Sequence, residues 1–398
     1  MLTSPAPALP ATYRVPSIDI LRGLVMIIMA LDHTRDFFHI TALTADPLDP
    51  GNTTLPLYFT RWITHFCAPT FVLLSGISAY LSAQKKSRAA ASNFLLKRGA
   101  WLILVEVTLV TFGITYNPFF NFIILQVIWA IGFSMVVLGL LSRISEKLVL
   151  ITGLLLFFGH NILNHLTLPT DGVAGRALQI LFTSRGGILP LGPDHVLGIF
   201  YAALPWTGIM LIGYAMGKLF YKNVDPHTRR KYLLLLGFGM ILLFVLLRFI
   251  NVYGNPEPAV WGEGFRFNLL TFLNTSKYPP SLQYACMTLG PALILLALWE
   301  KASGRWAEVL SVYGRVPFFY YILHFYLLHL LLVAAYFATG GSLSEAGTIP
   351  FFFRPAEFGF GLPVVYLIWL TVVAVLYLPC RWFGRYKATH RQWWLGYL

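Results

Sequence analysis

An ionisable side chain inside an apolar run costs several kcal/mol if it meets lipid, so it persists where it faces protein, water or a substrate. Ile18-Asp19-Ile20-Leu21-Arg22-Gly23 opens such a run near the start of the chain, and Asp32-His33-Thr34-Arg35-Asp36 closes it. On a helix, the step from Arg22 to His33 brings the two within about 20° of one face and about 16 Å apart along the axis. A guanidinium and an imidazole would then look into one chamber from two depths. The first can grip phosphate oxygens bidentately, and the second can take a proton from an attacking hydroxyl or amine.

Asp19 and Arg22, Asp32 and Arg35, and His33 and Asp36 are each three apart, so each pair shares a helix face. The spacing predicts His33 as a general base whose tautomer Asp36 fixes, and Arg22 as an anion grip. The plainer reading is that Asp19 and Arg22 snorkel at the interface and that 32–36 is a solvated helix end. The shared face of Arg22 and His33 favours the functional reading.

Other polar positions have weaker claims. His65, four before Pro69, stands at the outer end of the second apolar run, where it could meet the end of the first. His324 follows Tyr320 and Tyr321 by four and three, a Tyr-His face suited either to a pocket wall or to a core polar network. His329 lies about 140° from His324 and reads as a separate packing residue. Asp194-His195 and Lys277-Tyr278-Pro279-Pro280 stand where an outer acceptor would enter. Lys277, Arg35, Asp32, His324 and Tyr320 are the candidate acceptor contacts. Cys67, Cys286 and Cys380 have neither metal-ligand nor disulfide spacing, so they read as packing residues and no metal is expected.

The elements that must carry these residues are membrane helices. The 398 residues are 57% hydrophobic and only 11% charged, less than half the charge of an average soluble domain. Ten runs are long enough to span a bilayer: 18–38, 62–84, 96–116, 119–141, 148–166, 197–217, 232–252, 281–300, 317–338 and 363–383. The expected fold is all-α, a polytopic helical bundle of about ten spans. The net charge of +13 would suggest nucleic acid in a soluble protein, but here the basic residues flank apolar runs, so membrane lipids are the expected surroundings.

Most Lys and Arg, from Arg14 through Lys85-Lys86 and Arg229-Arg230-Lys231 to Arg391, fall on one face if both termini are cytoplasmic; Arg35, Arg61, Arg176, Arg185, Arg266, Lys277 and Arg354 fall on the other. The long connections, 39–61, 167–196, 253–280 and 339–362, then lie outside, which points to an outward acceptor site. Residues 1–17 hold no apolar centre for a cleavable signal and read as a cytoplasmic tail. Residues 18–385 form one expected domain, and 386–398 a second cytoplasmic tail. Gly213 and Gly217 should let the sixth span pack closely.

Ser17-Ile18-Asp19-Ile20-Leu21-Arg22-Gly23 with Asp32-His33 resembles the opening of bacterial relatives of heparan-α-glucosaminide N-acetyltransferase. It also fits the Arg, ten residues, His spacing of the broader acyltransferase-3 group. Phe66-Cys67-Ala68-Pro69-Thr70-Phe71, Leu204-Pro205-Trp206-Thr207-Gly208, Ser276-Lys277-Tyr278-Pro279-Pro280 and Gly314-Arg315-Val316-Pro317-Phe318 are similar to later blocks of the first family. The resemblance implies transfer of an acyl group, typically acetyl, from cytoplasmic acetyl coenzyme A to a hydroxyl or amine of a sugar or glycoconjugate outside. It places the essential Arg and His of the acyltransferase-3 group at Arg22 and His33. The animal enzyme uses a histidine of its first lumenal loop, whose spacing is not matched here, so the catalytic histidine stays open among His33, His39 and His65, in that order.

A bacterial inner membrane is the expected location, and the sequence leaves the oligomeric state, a dimer included, open. The competing class is a transporter or flippase whose path the polar stripe would line, but matching halves are not visible in the chain. Haem bound between span histidines finds no support in their spacing.

Overall fold

The computed structural model describes residues 15–184, 187–262, 264–347 and 351–397. Most of the expected N-terminal tail, Arg14 included, and Arg185 lie outside the described residues. The chain is mostly helical. In order it runs α1 (Pro16–Phe38), α2 (Leu55–Thr64), α3 (Cys67–Ala83), α4 (Arg88–Val105), a π-helical turn (Glu106–Val110) and α5 (Thr111–Thr115). After the strand β1 (Phe122–Leu125) come α6 (Val127–Ile144), α7 (Glu146–Gly159) and α8 (Gly172–Leu178). Strands β2 (Ile188–Pro190) and β3 (Val196–Ile199) precede α9 (Ala203–Met216) and α10 (Pro226–Ile250). The chain then forms α11 (Gly264–Leu273), α12 (Leu282–Leu298), α13 (Arg305–Arg315), α14 (Pro317–Ala338) and α15 (Leu362–Thr389).

Six helical stretches among the described residues are long and apolar enough to cross a membrane: Leu55–Ala83, Val127–Ile144, Glu146–His165, Pro226–Ile250, Pro317–Ala338 and Leu362–Thr389. The other expected spans are helical too, but α1 and α4 carry charge within them, α9 is short, and α12 is an apolar helix of the 10–17-residue class. α10 and α15 bury only 22% and 17% of their apolar windows, as helices facing lipid would.

Two expected spans begin later than the apolar runs that predicted them. The run from 119 first makes β1 and becomes helical at Val127, and the run from 197 first makes β3 and becomes helical at Ala203. The strands form a small sheet of order β1-β3-β2, with Phe122 to Leu125 parallel to Val196 to Ile199 and β2 antiparallel to β3. An all-α reading therefore needs this one addition. Apolar composition cannot separate a buried strand from a helix entry. Here Tyr116 sits at φ 47° and Pro118 follows, which ends α5 and releases the chain before Phe122.

The second span bends at His65-Phe66, between α2 and α3. Pro69 has no N–H, so the His65 carbonyl lacks its helical partner and accepts the Tyr284 hydroxyl at 2.7 Å instead. α1 passes through the interior and touches α2, α3, α12, α13, α14 and α15. It is thus the strut on which residues from most of the bundle converge.

Candidate active site

The last two turns of α1, on the side expected to face outward, carry a buried charge cluster. Asp32 is 5% exposed, and each of its carboxylate oxygens accepts from Nη1 of Arg61, at 2.6 and 2.5 Å, across the gap to α2. Nη2 of Arg35 lies 3.3 Å and Nζ of Lys277 3.8 Å from the same carboxylate. Asp36 is taken by Nη2 of Arg35 at 2.5 Å. Three cations from three parts of the chain thus share one buried aspartate, a pairing that burial makes obligatory.

This geometry corrects the expected partner of His33. Asp36 shares its face in sequence, but the adjacent guanidinium captures the carboxylate. Nδ1 of His33 lies 2.7 Å from Nε2 of His324 on α14, and its ring stacks on Phe325 at 4.4 Å. His33 lines a cavity of about 310 Å³, the outer cavity in the expected orientation, with Asp36, Arg61, Gln126 and Tyr278. Phe37, Phe200 and Phe351 supply apolar walls.

At the other end of α1, Arg22 donates from Nη2 to Ser78 Oγ at 2.8 Å and from Nη1 to the Gly314 carbonyl at 3.1 Å, with Asp19 Oδ1 at 3.4 Å. It lines a second cavity of about 1140 Å³ together with Lys85, Lys86, Arg98, Lys222, Arg315 and Lys387. No Asp or Glu is among the described residues lining it. Seven cationic side chains gathered around one cavity, with Asp19 beside Arg22 as a nearby carboxylate, suit a polyanion of several phosphates.

Arg22 and His33 therefore line two cavities, not the single chamber that their shared face predicts. Val25, Met26, Met29 and Ala30 are buried on the turns between them, and on α14 Tyr320, Tyr321 and His324 stand between Phe318 of the inner cavity and Phe325 of the outer one.

The remaining candidates fall into place around this axis. His39 closes α1; its Nδ1 faces the Thr41 hydroxyl at 3.0 Å, its carbonyl accepts from Arg354 at 2.8 Å, and it is outside the lining of both cavities. Burial, helped by the nearby guanidinium groups of Arg35 and Arg354, holds its ring below the ordinary histidine range. His65 is 1% exposed, packs edge-on against Tyr284 at 5.3 Å, and has no hydrogen-bond partner for either ring nitrogen among the described residues. Tyr320 stacks parallel to His324 at 5.6 Å, and its buried hydroxyl also lacks a partner among the described residues.

His329 does more than pack. Its nitrogens lie 3.0 Å from the Ile114 carbonyl and 2.9 Å from that of Phe352, and it lines the outer cavity. Arg61 is the functional candidate that sequence reasoning passed over as an outer-face charge; its partner Asp32 lies on a different helix, so no spacing within α2 could have exposed it.

The sequence pattern described as heparan-alpha-glucosaminide N-acetyltransferase, catalytic, matches residues 14–247, more than half of the chain. The chain belongs to that family. No curated protein matches it. Membership makes it an N-acetyltransferase-type membrane enzyme, a class that implies acetyl coenzyme A as co-substrate. The matched segment holds Arg22, Asp32, His33 and Arg61, whereas Lys277 and His324 come from the part of the chain beyond it.

Proposed function

We propose that this heparan-alpha-glucosaminide N-acetyltransferase relative takes an acetyl group from coenzyme A bound on the cytoplasmic side and delivers it to a hydroxyl or amine of an extracytoplasmic sugar. The observation that carries the reading is the pair of cavities at the two ends of α1, a basic one holding Arg22 and a smaller one holding His33. Arg22 and its basic neighbours would hold the phosphates of the donor. Asp36, Arg61, Gln126 and the aromatic walls of the outer cavity would receive one sugar ring, with Asp32 and Lys277 fixing Arg61 and Arg35 from behind.

In the reaction the acceptor oxygen or nitrogen bonds to the thioester carbonyl carbon while His33 takes its proton. Arg61, whose Nη1 is spent on Asp32, has its remaining donors available to the developing oxyanion. The carbon–sulfur bond then breaks, and the proton returns from His33 to the leaving thiolate. About 16 Å of α1 separates the two residues, a gap that the extended pantetheine arm would bridge once the wall between the cavities parts. The reading takes residues 18–385 as one domain, ten spans with both termini inside, and a bacterial inner membrane.

Inverted or right-side-out vesicles holding the purified protein, given radiolabelled acetyl coenzyme A and amino sugars, test this. His33→Ala should cut transfer by about 10²–10⁴-fold and leave donor binding intact, and Arg22→Ala should weaken donor binding. A folded His33→Ala protein with full activity removes the base; unchanged donor affinity in Arg22→Ala removes the grip.

A further inference from the structure

The contact between His33 and His324 has a direction, and the direction decides which nitrogen can act. The ring centroids are 5.0 Å apart at an interplanar angle of 23°, the spacing that arises when the 2.7 Å nitrogen–nitrogen vector runs along both ring planes. It is an in-plane hydrogen bond and not a stack. Neither ring bonds a carboxylate, because Asp32 and Asp36 are held by Arg61 and Arg35. A buried imidazolium without a counter-ion is costly, so both rings are neutral at rest.

A neutral imidazole has one N–H and one lone pair. Nδ1 of His324 lies 3.3 Å from the Tyr320 carbonyl, which can only accept, so the His324 proton sits on Nδ1 and Nε2 carries the lone pair. Nδ1 of His33 must then be the donor, and its own lone pair is left on Nε2. No described residue bonds that nitrogen, and His33 lines the outer cavity.

We propose that the Tyr320 carbonyl, His324 and His33 form a one-way hydrogen-bond chain in which His324 is the positioning residue that holds His33 with Nε2 unprotonated toward the acceptor. The proposal rests on the acyltransferase reading for its chemistry. When the acceptor attacks, its proton moves to Nε2 of His33, and the resulting imidazolium donates a charge-assisted bond from Nδ1 to His324 until the proton passes to the departing thiolate. His324 does for His33 what a carboxylate does in a Ser-His-Asp triad, without bringing a negative charge into the bundle.

Purified protein with its histidines labelled in nitrogen-15 gives the first test, His33→Gln serving to assign the signal. His33 protonated on Nδ1, with a signal that moves in His324→Leu, supports the chain; protonation on Nε2 overturns it. In steady-state acetyl transfer, His324→Leu should lower kcat about 100-fold with both KM values unchanged. His324→Gln, whose amide oxygen can accept from Nδ1–H near the same place, should return kcat to within about tenfold of the original. Unaltered kcat in His324→Leu, or equal losses in both variants, overturns the positioning role. If His324→Leu does not fold, the wild-type tautomer and the Gln variant decide. A wild-type protein that transfers no acetyl group while His33 carries its proton on Nδ1 sinks the acyltransferase reading and leaves the chain standing.

Discussion

At the scale of single residues, Asp32 is the hinge of the outer site because it is the shared counter-ion of Arg61, Arg35 and Lys277. Asp32→Asn keeps the shape and removes the charge, leaving Arg61 and Lys277 buried without that counter-ion while Arg35 keeps Asp36. The expected cost is about 3–5 kcal/mol, read as a fall in the thermal unfolding midpoint in detergent, together with lost transfer. An unchanged midpoint would mean that water already screens the cluster. Tyr321→Phe should behave oppositely. Its hydroxyl is buried with no partner among the described residues, so removal should leave the midpoint level or raise it. A drop in transfer at that unchanged midpoint would assign the hydroxyl to the substrate path. Arg22 and His33 stood out in the sequence because their eleven-residue step is local to one helix. Arg61 did not, and His324 did so only as a pocket-wall candidate and not as the partner of His33, since the partners that give them meaning are Asp32, 29 residues away, and His33, 291 away.

At the scale of elements, the proposed donor cavity depends on how closely α13 approaches α1. A Cβ at Gly23 would meet the Leu310 carbonyl oxygen at 1.8 Å, and one at Gly314 would meet that of Asp19 at 1.9 Å. The two glycines let the helices cross almost backbone to backbone, and the same approach delivers the Gly314 carbonyl to Arg22. Gly23→Ala should force α13 away, lower the unfolding midpoint and weaken coenzyme A binding more than acceptor binding, all measurable on one preparation. Equal weakening of both would place the effect on global stability alone. Gly213 follows the same logic, since its Cβ would strike the Leu73 carbonyl oxygen at 2.3 Å, as the close packing expected for the sixth span requires. Apolar length made the helices legible, yet the strands at 122–125 and 196–199 and the bend at His65-Phe66 were hidden. The strands depend on pairing between distant segments, and the bend on a tyrosine of α12 that satisfies the freed carbonyl.

At the scale of the whole molecule, composition established a lipid-embedded bundle, while the division into two cavities came only with the packing of α1 against α13 and α14. That division gives the orientation a direct test. Leu43 is 45% exposed and lines the outer cavity, and Lys222 lines the inner one. Leu43→Cys and Lys222→Cys provide one thiol for each, and the native Cys67, Cys286 and Cys380 are all buried, so they should react slowly. In sealed vesicles of known sidedness, a charged, impermeant thiol reagent should reach position 43 from the extracytoplasmic side alone and position 222 from the cytoplasmic side alone. Coenzyme A should protect position 222 and leave 43 reactive. This protection should weaken as salt rises, because the inner cavity's hold on phosphates comes from its seven Lys and Arg side chains and is screened over about 10 Å at 0.1 M. Labelling of both positions from one side would overturn the placement of donor and acceptor on opposite faces. Protection at 43 without protection at 222 would move the donor to the outer cavity, and His33 would then face the wrong substrate.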